Sequence, residues 1–194
     1  MRKHLLFAIF GFLVMLGTFL LFWQETHQEW KQIQRAFSAL RLQQATDSPG
    51  KERSVQAQYP FSQEKIAIRQ LYIEPLRRTD RCTTCHLGID DPRWQGAPQP
   101  FTTHPPPLLR FHPPQKYGCT ICHRGQGLAI TTAAAHGQTK HWNEPLLPKQ
   151  YLEASCGLCH SGPDFRAAPV LSEGRRLVRW LGCPGCHEIR GYPP

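Results

Sequence analysis

Methionine is one of the scarcest residues in this sequence. Of 194 residues, two are methionine, Met1 and Met15, so every position after residue 15 lacks a thioether side chain. A metal ligand of that kind is therefore excluded from the rest of the chain. The sequence also lacks a base-reading motif and any interleaving of aromatic with basic residues. This excludes the nucleic-acid-binding classes in spite of a formal net charge of +9.

Cysteine occurs in one pattern only. All eight cysteines belong to four C-x-x-C-H motifs, so no thiol is left over. The first, second, third and fourth motifs are Cys82/Cys85/His86, Cys119/Cys122/His123, Cys156/Cys159/His160 and Cys183/Cys186/His187. Two thiols three positions apart lie on one side of a helical turn, where they can add to the two vinyl groups of one haem while the next His binds the iron. The pattern predicts four covalently attached haem c groups.

Two other uses of these cysteines have to be compared with haem attachment. One is a disulfide framework, and the other is a pair of structural zinc sites with four thiolates each. Neither explains why a His follows the second Cys in all four motifs. The haem interpretation is therefore favoured over both.

The N-terminal region is strongly apolar. The run from Leu5 to Trp23 covers 19 residues without a charge, which is close to the length of a membrane-spanning helix. Arg2 and Lys3 precede it, so the positive-inside rule places the N-terminus in the cytoplasm. A cleaved signal peptide is the alternative, but its apolar region would be shorter and would end in a small-residue site. The sequence predicts an uncleaved, single-pass anchor in the inner (cytoplasmic) membrane, with the rest of the chain in the periplasm.

The chain divides into three regions by composition. Residues 1–23 form a cytoplasmic tip and the transmembrane anchor, residues 24–80 a juxtamembrane helix and connector, and residues 81–194 a tetrahaem cytochrome c domain. The juxtamembrane helix is predicted from Gln24 to about Gln44 as a continuation of the membrane helix, ending at the turn residues 47–50. One apolar stripe runs along it, formed by Trp30, Ile33, Phe37 and Leu40. This stripe docks either on a partner's helices or on the chain's own domain.

Regular structure is predicted to be sparse after the juxtamembrane helix. Lys65 to Ile73 is the one plausible strand, because it is rich in β-branched and aromatic residues. Residues 91–115 contain eight prolines, which forbid long helices. The span from Cys82 to His187 leaves about 26 residues around each of four haems, so the haems must supply much of the buried apolar surface. The predicted fold is mostly irregular with short α-helices: a transmembrane helix followed by a haem-cored multihaem cytochrome c domain.

The first three motifs look like one repeated unit. Their starts are 37 residues apart, and each has a glycine two places after the His, at Gly88, Gly125 and Gly162. We expect these glycines to take a positive φ and end the short helix of the motif. The fourth motif lacks this glycine and starts 27 residues after the third. Residues 174–180 are predicted to form a helix that leads into it.

The segment GRRLVRWLGCPGCHEIRG resembles the opening of a class I cytochrome c domain, in which an N-terminal helix leads into the haem site. That family takes its sixth iron ligand from a downstream Met, and this chain has no Met in such a position. Three explanations stay open: a different ligand at the fourth haem, a chain shorter than the ancestral domain, or an iron with an open or partner-supplied position.

Histidines outside the motifs are the remaining candidates for the second axial position. The chain has ten histidines, and four of them are neither proximal ligands nor close to the membrane helix: His104, His112, His136 and His141. Four spare imidazoles for four irons predict bis-His haems. On this count the haem at His187 is expected to take one of these four as its second ligand.

The net positive charge of the chain has to be recalculated once haem is included. Four haems bring eight propionates, which lower the formal +9 to about +1 before the irons are counted. Arg77, Arg78, Arg81 and Arg110 are therefore interpreted as propionate partners rather than as a nucleic-acid patch.

The plan of the whole chain, one N-terminal anchor and four C-x-x-C-H motifs, is similar to the NapC/NirT family of membrane-anchored tetrahaem quinol dehydrogenases. The haem spacings differ, and no quinol-site residue is carried over. The resemblance implies an electron-transfer subunit of a respiratory or photosynthetic membrane complex, between a quinol-oxidising or other donor module and periplasmic acceptors. Its partners would be other subunits, periplasmic redox proteins and membrane lipid. The alternatives are a quinol dehydrogenase in its own right and a haem reductase with an open iron.

Overall fold

The fold was obtained as a computed structural model that describes residues 2–47, 65–162, 165–189 and 191–192, with the side chains of 45–47 left out. The chain separates into two compact units. The first unit comprises Met1–Leu71, Arg81–His112 and Ile130–Thr132. The second comprises Tyr72–Asp80, Pro113–Ala129 and Ala133–Pro194. The first motif therefore lies in the first unit and the other three motifs lie in the second.

The first helix, α1, runs from Arg2 to Thr26 and has no buried residue. Its 25 residues are long and apolar enough to cross a membrane, and no other helix of the described chain has that property. The predicted helix of membrane-spanning length is thus present.

The second helix, α2, runs from Glu29 to Asp47, so the prediction of one helix continuing from Gln24 is wrong. The reason lies in the carbonyl groups at the end of α1, which side chains satisfy instead of another helical turn. Lys31 Nζ donates to Glu25 O at 2.7 Å, and Gln32 Nε2 donates to His27 O at 2.9 Å. The predicted end of this helix at residues 48–50 lies outside the described residues.

The apolar stripe of α2 packs on the chain's own first unit. Trp30 and Phe37 are buried, and Phe37 joins Leu87, Trp94 and Phe101 in a core cluster that Ile33 and Leu40 flank. The ring centroid of Phe37 lies 4.4 Å from that of Trp94 and 5.3 Å from that of Phe101. Of the two alternatives, docking on a partner's helices or on the chain's own domain, the structure therefore shows the second.

The predicted strand forms only in its last three residues. Strand β1, Leu71–Ile73, pairs with β2, Arg78–Asp80, in a two-stranded sheet. Upstream of β1, backbone N–H and C=O groups of the extended chain bond to side chains rather than to another strand. Ala67 N donates to Gln34 Oε1 at 2.9 Å, and Ala67 O accepts from Gln34 Nε2 at 2.8 Å. Groups bound in this way cannot join a ladder, so the strand is short.

The rest of the described chain is irregular with short helices, as predicted. The α-helices are α3 Leu108–Phe111, α4 Pro114–Tyr117, α5 Thr120–His123, α6 Thr132–Ala135 and α7 Pro169–Trp180. The 3₁₀ helices are Glu74–Leu76, Cys82–Thr84, Pro92–Trp94, Lys149–Leu158 and Cys183–Gly185. No described helix within the proline-rich stretch exceeds four residues. Helix α7 confirms the predicted helical approach to the fourth motif.

The substitution Phe37→Ala should destabilise the first unit by about 3–5 kcal/mol, because it leaves a cavity among buried aromatic rings. Leu42→Ala on the same helix is the matched control, since Leu42 is 66% exposed. Urea unfolding of the detergent-solubilised protein measures both. Equal midpoints for the two variants would contradict the assigned core.

Candidate covalent haem sites

The four motifs share one backbone turn. In each, the N–H of the His donates to the carbonyl of the first Cys, at 2.9 Å in the first and third motifs and 3.0 Å in the second and fourth. The N–H of the second Cys donates to the same carbonyl at 3.1, 3.1, 3.2 and 3.3 Å in chain order. The turn therefore presents two thiols and one imidazole in a fixed relation, four times.

The cysteines are available for attachment chemistry. All eight thiols are free and none is fully buried, so the disulfide framework is not what the structure shows. In the part of the chain that the structure describes, no three His, Cys, Asp or Glu side chains gather as a metal-binding group. That finding gives no support to a zinc site. Burial, with smaller contributions from Glu29 and Cys82, raises the pKa of Cys85 to about 11, so this thiol is protonated at neutral pH.

The first motif is tied to the helix that follows the anchor. Gln34 Nε2 donates to the carbonyl of Thr84, between the two cysteines, at 2.8 Å. The Thr84 hydroxyl donates to Arg69 O at 3.0 Å and accepts from Arg69 N at 2.9 Å. These bonds fix the turn between α2 and the extended chain at residues 67–69.

The motif glycines do not act alike. Gly125 has a φ of +80°, as predicted, whereas Gly88 does not have a positive φ, so the prediction for Gly88 is wrong. At Gly88 the reason for glycine is space, because a Cβ there would clash with the backbone carbonyl of Phe101 and lie 2.8 Å from Cγ of Trp94. Close packing, not turn geometry, requires the missing side chain.

The second motif is capped by a buried carboxylate that sequence reasoning missed. Asp80 ends β2 and is 1% exposed. Its Oδ2 accepts from the backbone N–H of Cys119 at 2.6 Å and of Thr120 at 3.2 Å. This is the arrangement of an N-cap, but the carboxylate comes from 39 residues earlier in the chain. A local sequence pattern does not contain that signal.

The second and third motifs lie side by side within the second unit. Ser155, next to Cys156, donates its hydroxyl hydrogen to Cys122 O at 2.7 Å. The pKa of Cys122 is raised by burial first and then by Cys156 and Cys159, which shows that the thiols of both motifs share one neighbourhood. Cofactors attached at these motifs would therefore be neighbours.

The third and fourth motifs are joined through α7. Glu153 Oε2 accepts from Val170 N at 2.7 Å and from Leu171 N at 3.2 Å, which caps the first turn of α7. Further along the same helix, the Arg175 guanidinium donates to the carbonyls of His160 and Gly162. The helix that rests on the third motif thus leads directly into the fourth.

The four spare histidines divide equally between the units. His104 and His112 lie in the first unit, which holds one motif, and His136 and His141 lie in the second, which holds three. His104 N donates to Ile89 O at 2.9 Å, three residues beyond His86. Leu146 N donates to His136 O at 2.9 Å, and the next residue, Leu147, donates to His123 O at 2.9 Å. The backbone of His104 is thus beside the first motif and that of His136 beside the second. The ligand of the fourth haem stays a prediction.

Among the arginines expected to face propionates, Arg77, Arg78 and Arg110 are exposed. Arg81 Nε donates to Gln70 Oε1 at 2.9 Å. Sequence reasoning missed two further arginines of the first unit, Arg41, which is 6% exposed, and the half-buried Arg69. Arg69 is bound through its backbone to the first motif, so it is the better-placed cation for a group held there.

A cavity of about 520 Å³ lies in the first unit where α1 ends and α2 begins. Its lining includes the apolar Leu21, Trp30 and Ile130 together with His27 and Glu29. Glu29 Oε2 accepts from Thr132 N at 2.9 Å, which holds residues 130–132 on α2. The lining thus belongs to the end of the apolar helix, the start of α2 and residues 130–131, and Glu29 in it also contributes to the raised pKa of Cys85 in the first motif.

The substitution Asp80→Ala should destabilise the second unit by about 0.5–2 kcal/mol, because it removes the cap of the second motif. It should also lower occupancy of the second motif by the haem that the sequence predicts there. Glu74→Ala, at an exposed position in the turn before β2, is the matched control. Denaturant unfolding and intact mass measure the two effects, and a variant with unchanged stability would contradict the capping role.

In comparisons with protein-family models, with curated proteins and with solved structures, nothing matched the chain.

Proposed function

We propose that this chain is a membrane-anchored tetrahaem c-type cytochrome that relays electrons as a subunit of a respiratory or photosynthetic membrane complex. The observation that carries the proposal is the single backbone turn, formed four times, with two free thiols and one His in each copy. Disulfide and zinc chemistry do not require a His at a fixed place in that turn. Covalent haem attachment does.

The residues present fit haem at each motif. The two cysteines would form the thioether bonds and the adjacent His would bind the iron, whose change between ferric and ferrous states is the chemistry that the cofactor supplies. Large apolar side chains near the second to fourth motifs are exposed on the polypeptide, including Leu146, Leu158, Trp180 and Leu181. A macrocycle at each motif would cover apolar surface of this kind, which favours its binding.

The arrangement within each unit supports a relay. In the second unit, Ser155 and α7 connect three consecutive motifs, so the groups attached there would lie in sequence. In the first unit, the first motif is bonded to α2, the helix that directly follows the apolar helix. We infer that electrons come from a quinol-oxidising or other donor module at the membrane and pass to periplasmic redox proteins. The resemblance to the NapC/NirT family points the same way.

The intact mass of the purified, denatured protein tests the proposal. We expect the mass of the full chain from Met1 plus four haems, because all eight thiols are placed for thioether bonds and α1 is retained as an anchor. A thiol-alkylating reagent should add nothing. Three or fewer haems would overturn the tetrahaem assignment, and an N-terminus near residue 25 would overturn the anchor.

A paired substitution controls for haem that is bound without covalent bonds. Replacing Cys183 and Cys186 by Ala should lower the mass by one haem, after allowing for the two sulfur atoms, and leave the other three attached. Replacing Ser161 and Ser172 by Ala, at positions outside the motifs, should retain all four.

The cavity at the end of α1 favours a second candidate function, a quinol dehydrogenase that needs no other subunit. A lipid-soluble quinol could reach this cavity from the membrane, and His27 and Glu29 in its lining are groups that can accept protons. Glu29 also contributes to the raised pKa of Cys85 in the first motif. The cavity therefore combines apolar side chains with proton acceptors, and one of these acceptors acts electrostatically on a thiol of the first motif.

Reduction of the haems by a quinol analogue in the absence of partner subunits would distinguish this candidate from a pure relay. For the dehydrogenase, Leu21→Trp should narrow the cavity, displace a quinol bound there and slow reduction by about tenfold. Leu20→Trp, one residue earlier on α1 and outside the lining, should leave the rate unchanged. If the wild-type protein is reduced by dithionite but not by the quinol, the relay function is supported and the dehydrogenase is rejected.

A further inference from the structure

Two adjacent aspartates follow the first motif, and their surroundings differ. Asp91 is fully buried, and both of its carboxylate oxygens accept from the Arg93 guanidinium, at 2.5 to 3.0 Å. Its Oδ1 also accepts from Arg93 N at 3.0 Å. Asp90 is half-buried, and its Oδ1 is a buried atom with no hydrogen bond among the described residues. The charge of Asp91 is thus compensated directly, whereas one oxygen of Asp90 is left for a proton or a water molecule.

Asp90 is connected to the first motif through Arg69. The two side chains attract each other electrostatically, and the backbone of Arg69 is held by the hydroxyl of Thr84, between Cys82 and Cys85. The charged groups that act on this pair are Asp91 on the same turn and Arg41 from α2. Asp90 itself is four residues beyond His86. A carboxyl in this place would feel a change of charge at a haem bound to the motif.

The local environment prepares Asp90 for proton exchange near neutral pH. Burial raises its pKa to about 6, and Asp91 acts in the same direction, while a hydrogen bond to the backbone of Asp90 and the charge of Arg69 oppose the shift. Ordinary aspartates are fully ionised at that pH. A small additional change in nearby charge therefore decides whether Asp90 holds a proton.

We propose that Asp90 is a redox-linked proton acceptor for the haem of the first motif, and this rests on the proposed haem attachment. When one electron from the donor module reduces the ferric iron to ferrous, the Asp90 carboxylate takes one proton from solvent and becomes a neutral carboxylic acid. On reoxidation, the electron leaves to the acceptor and the proton returns to solvent. The net charge of the site is the same in both states, which lowers the electrostatic cost of adding the electron.

The sign of the pH dependence follows from this exchange. Reduction removes one positive charge from the iron, so the pKa of Asp90 is higher in the reduced protein than in the oxidised protein. Between those two values each electron carries one proton, and the midpoint potential falls as the pH rises. The slope approaches about 59 mV per pH unit, the tenfold factor of a one-electron couple. Below the oxidised value and above the reduced value the potential does not depend on this group.

Redox titrations of the full-length protein in detergent, at pH values from 5 to 8, test the inference. We expect one of the four haem components of the wild-type protein to show this slope. Asp90→Asn should remove the slope from that component, and Asp90→Glu should keep it. Glu74→Gln, at an exposed acid in the second unit, is the matched control and should change nothing.

Infrared difference spectra between the reduced and oxidised states give a second measurement. A carboxylic acid band that forms on reduction, shifts on ¹³C-aspartate labelling and is lost in Asp90→Asn would support the inference. Wild-type protein with no pH-dependent component, or an Asp90→Asn variant with the wild-type slope and band, would overturn it. Protein that carries four haems but fails these tests would leave the proposed function standing, whereas protein without haem would remove both.

Discussion

The hydrogen bond from the His N–H to the carbonyl of the first Cys is the interaction on which the remaining structure depends. It closes each motif into one turn, and the contacts that hold the first three motifs in place are made to that turn or to its flanking backbone. Gln34 and Thr84 hold it in the first motif, Asp80 caps it in the second, and Arg175 binds the carbonyl of its His in the third. Because the turn is local, it forms in the same way in both units.

Hydrogen bonds from polar side chains to backbone groups stabilise much of this fold, a role that an apolar core has in most globular proteins. The described helices after α2 are short, and the apolar cluster around Phe37 belongs to the first unit alone. The second unit is instead joined by Asp80, Ser155 and Glu153, each of which satisfies backbone groups distant in sequence. Bonds of this kind fix the position of the motif turns with few residues. Such an arrangement needs few apolar residues, which is consistent with a chain whose cofactors would supply much of the buried apolar surface.

Local periodicity predicted several elements well. The charge-free run is a helix of membrane-spanning length, the stripe on α2 faces inward, and α7 leads into the fourth motif. The errors share one physical cause, which is contact with groups that the local sequence pattern does not include. Gln34 and Thr84 take the backbone groups of residues 67–69 and shorten the predicted strand. Lys31 binds a carbonyl at the end of α1, where the two helices separate, and the Phe101 carbonyl together with Trp94 explains the glycine at position 88.

The sequence by itself determined the composition of each candidate site, because two cysteines and a His at fixed spacing form one turn without help from the rest of the chain. It also determined the apolar helix, since length and composition suffice for that prediction. The tertiary structure alone decided which groups surround the turns. The cap from Asp80, the electrostatic effect of Arg69 on Asp90 and the position of Ser155 beside Cys122 connect residues whose proximity no local pattern encodes. Such contacts form only when a loop brings two distant segments together, and the path of the loop depends on how the elements at its two ends pack.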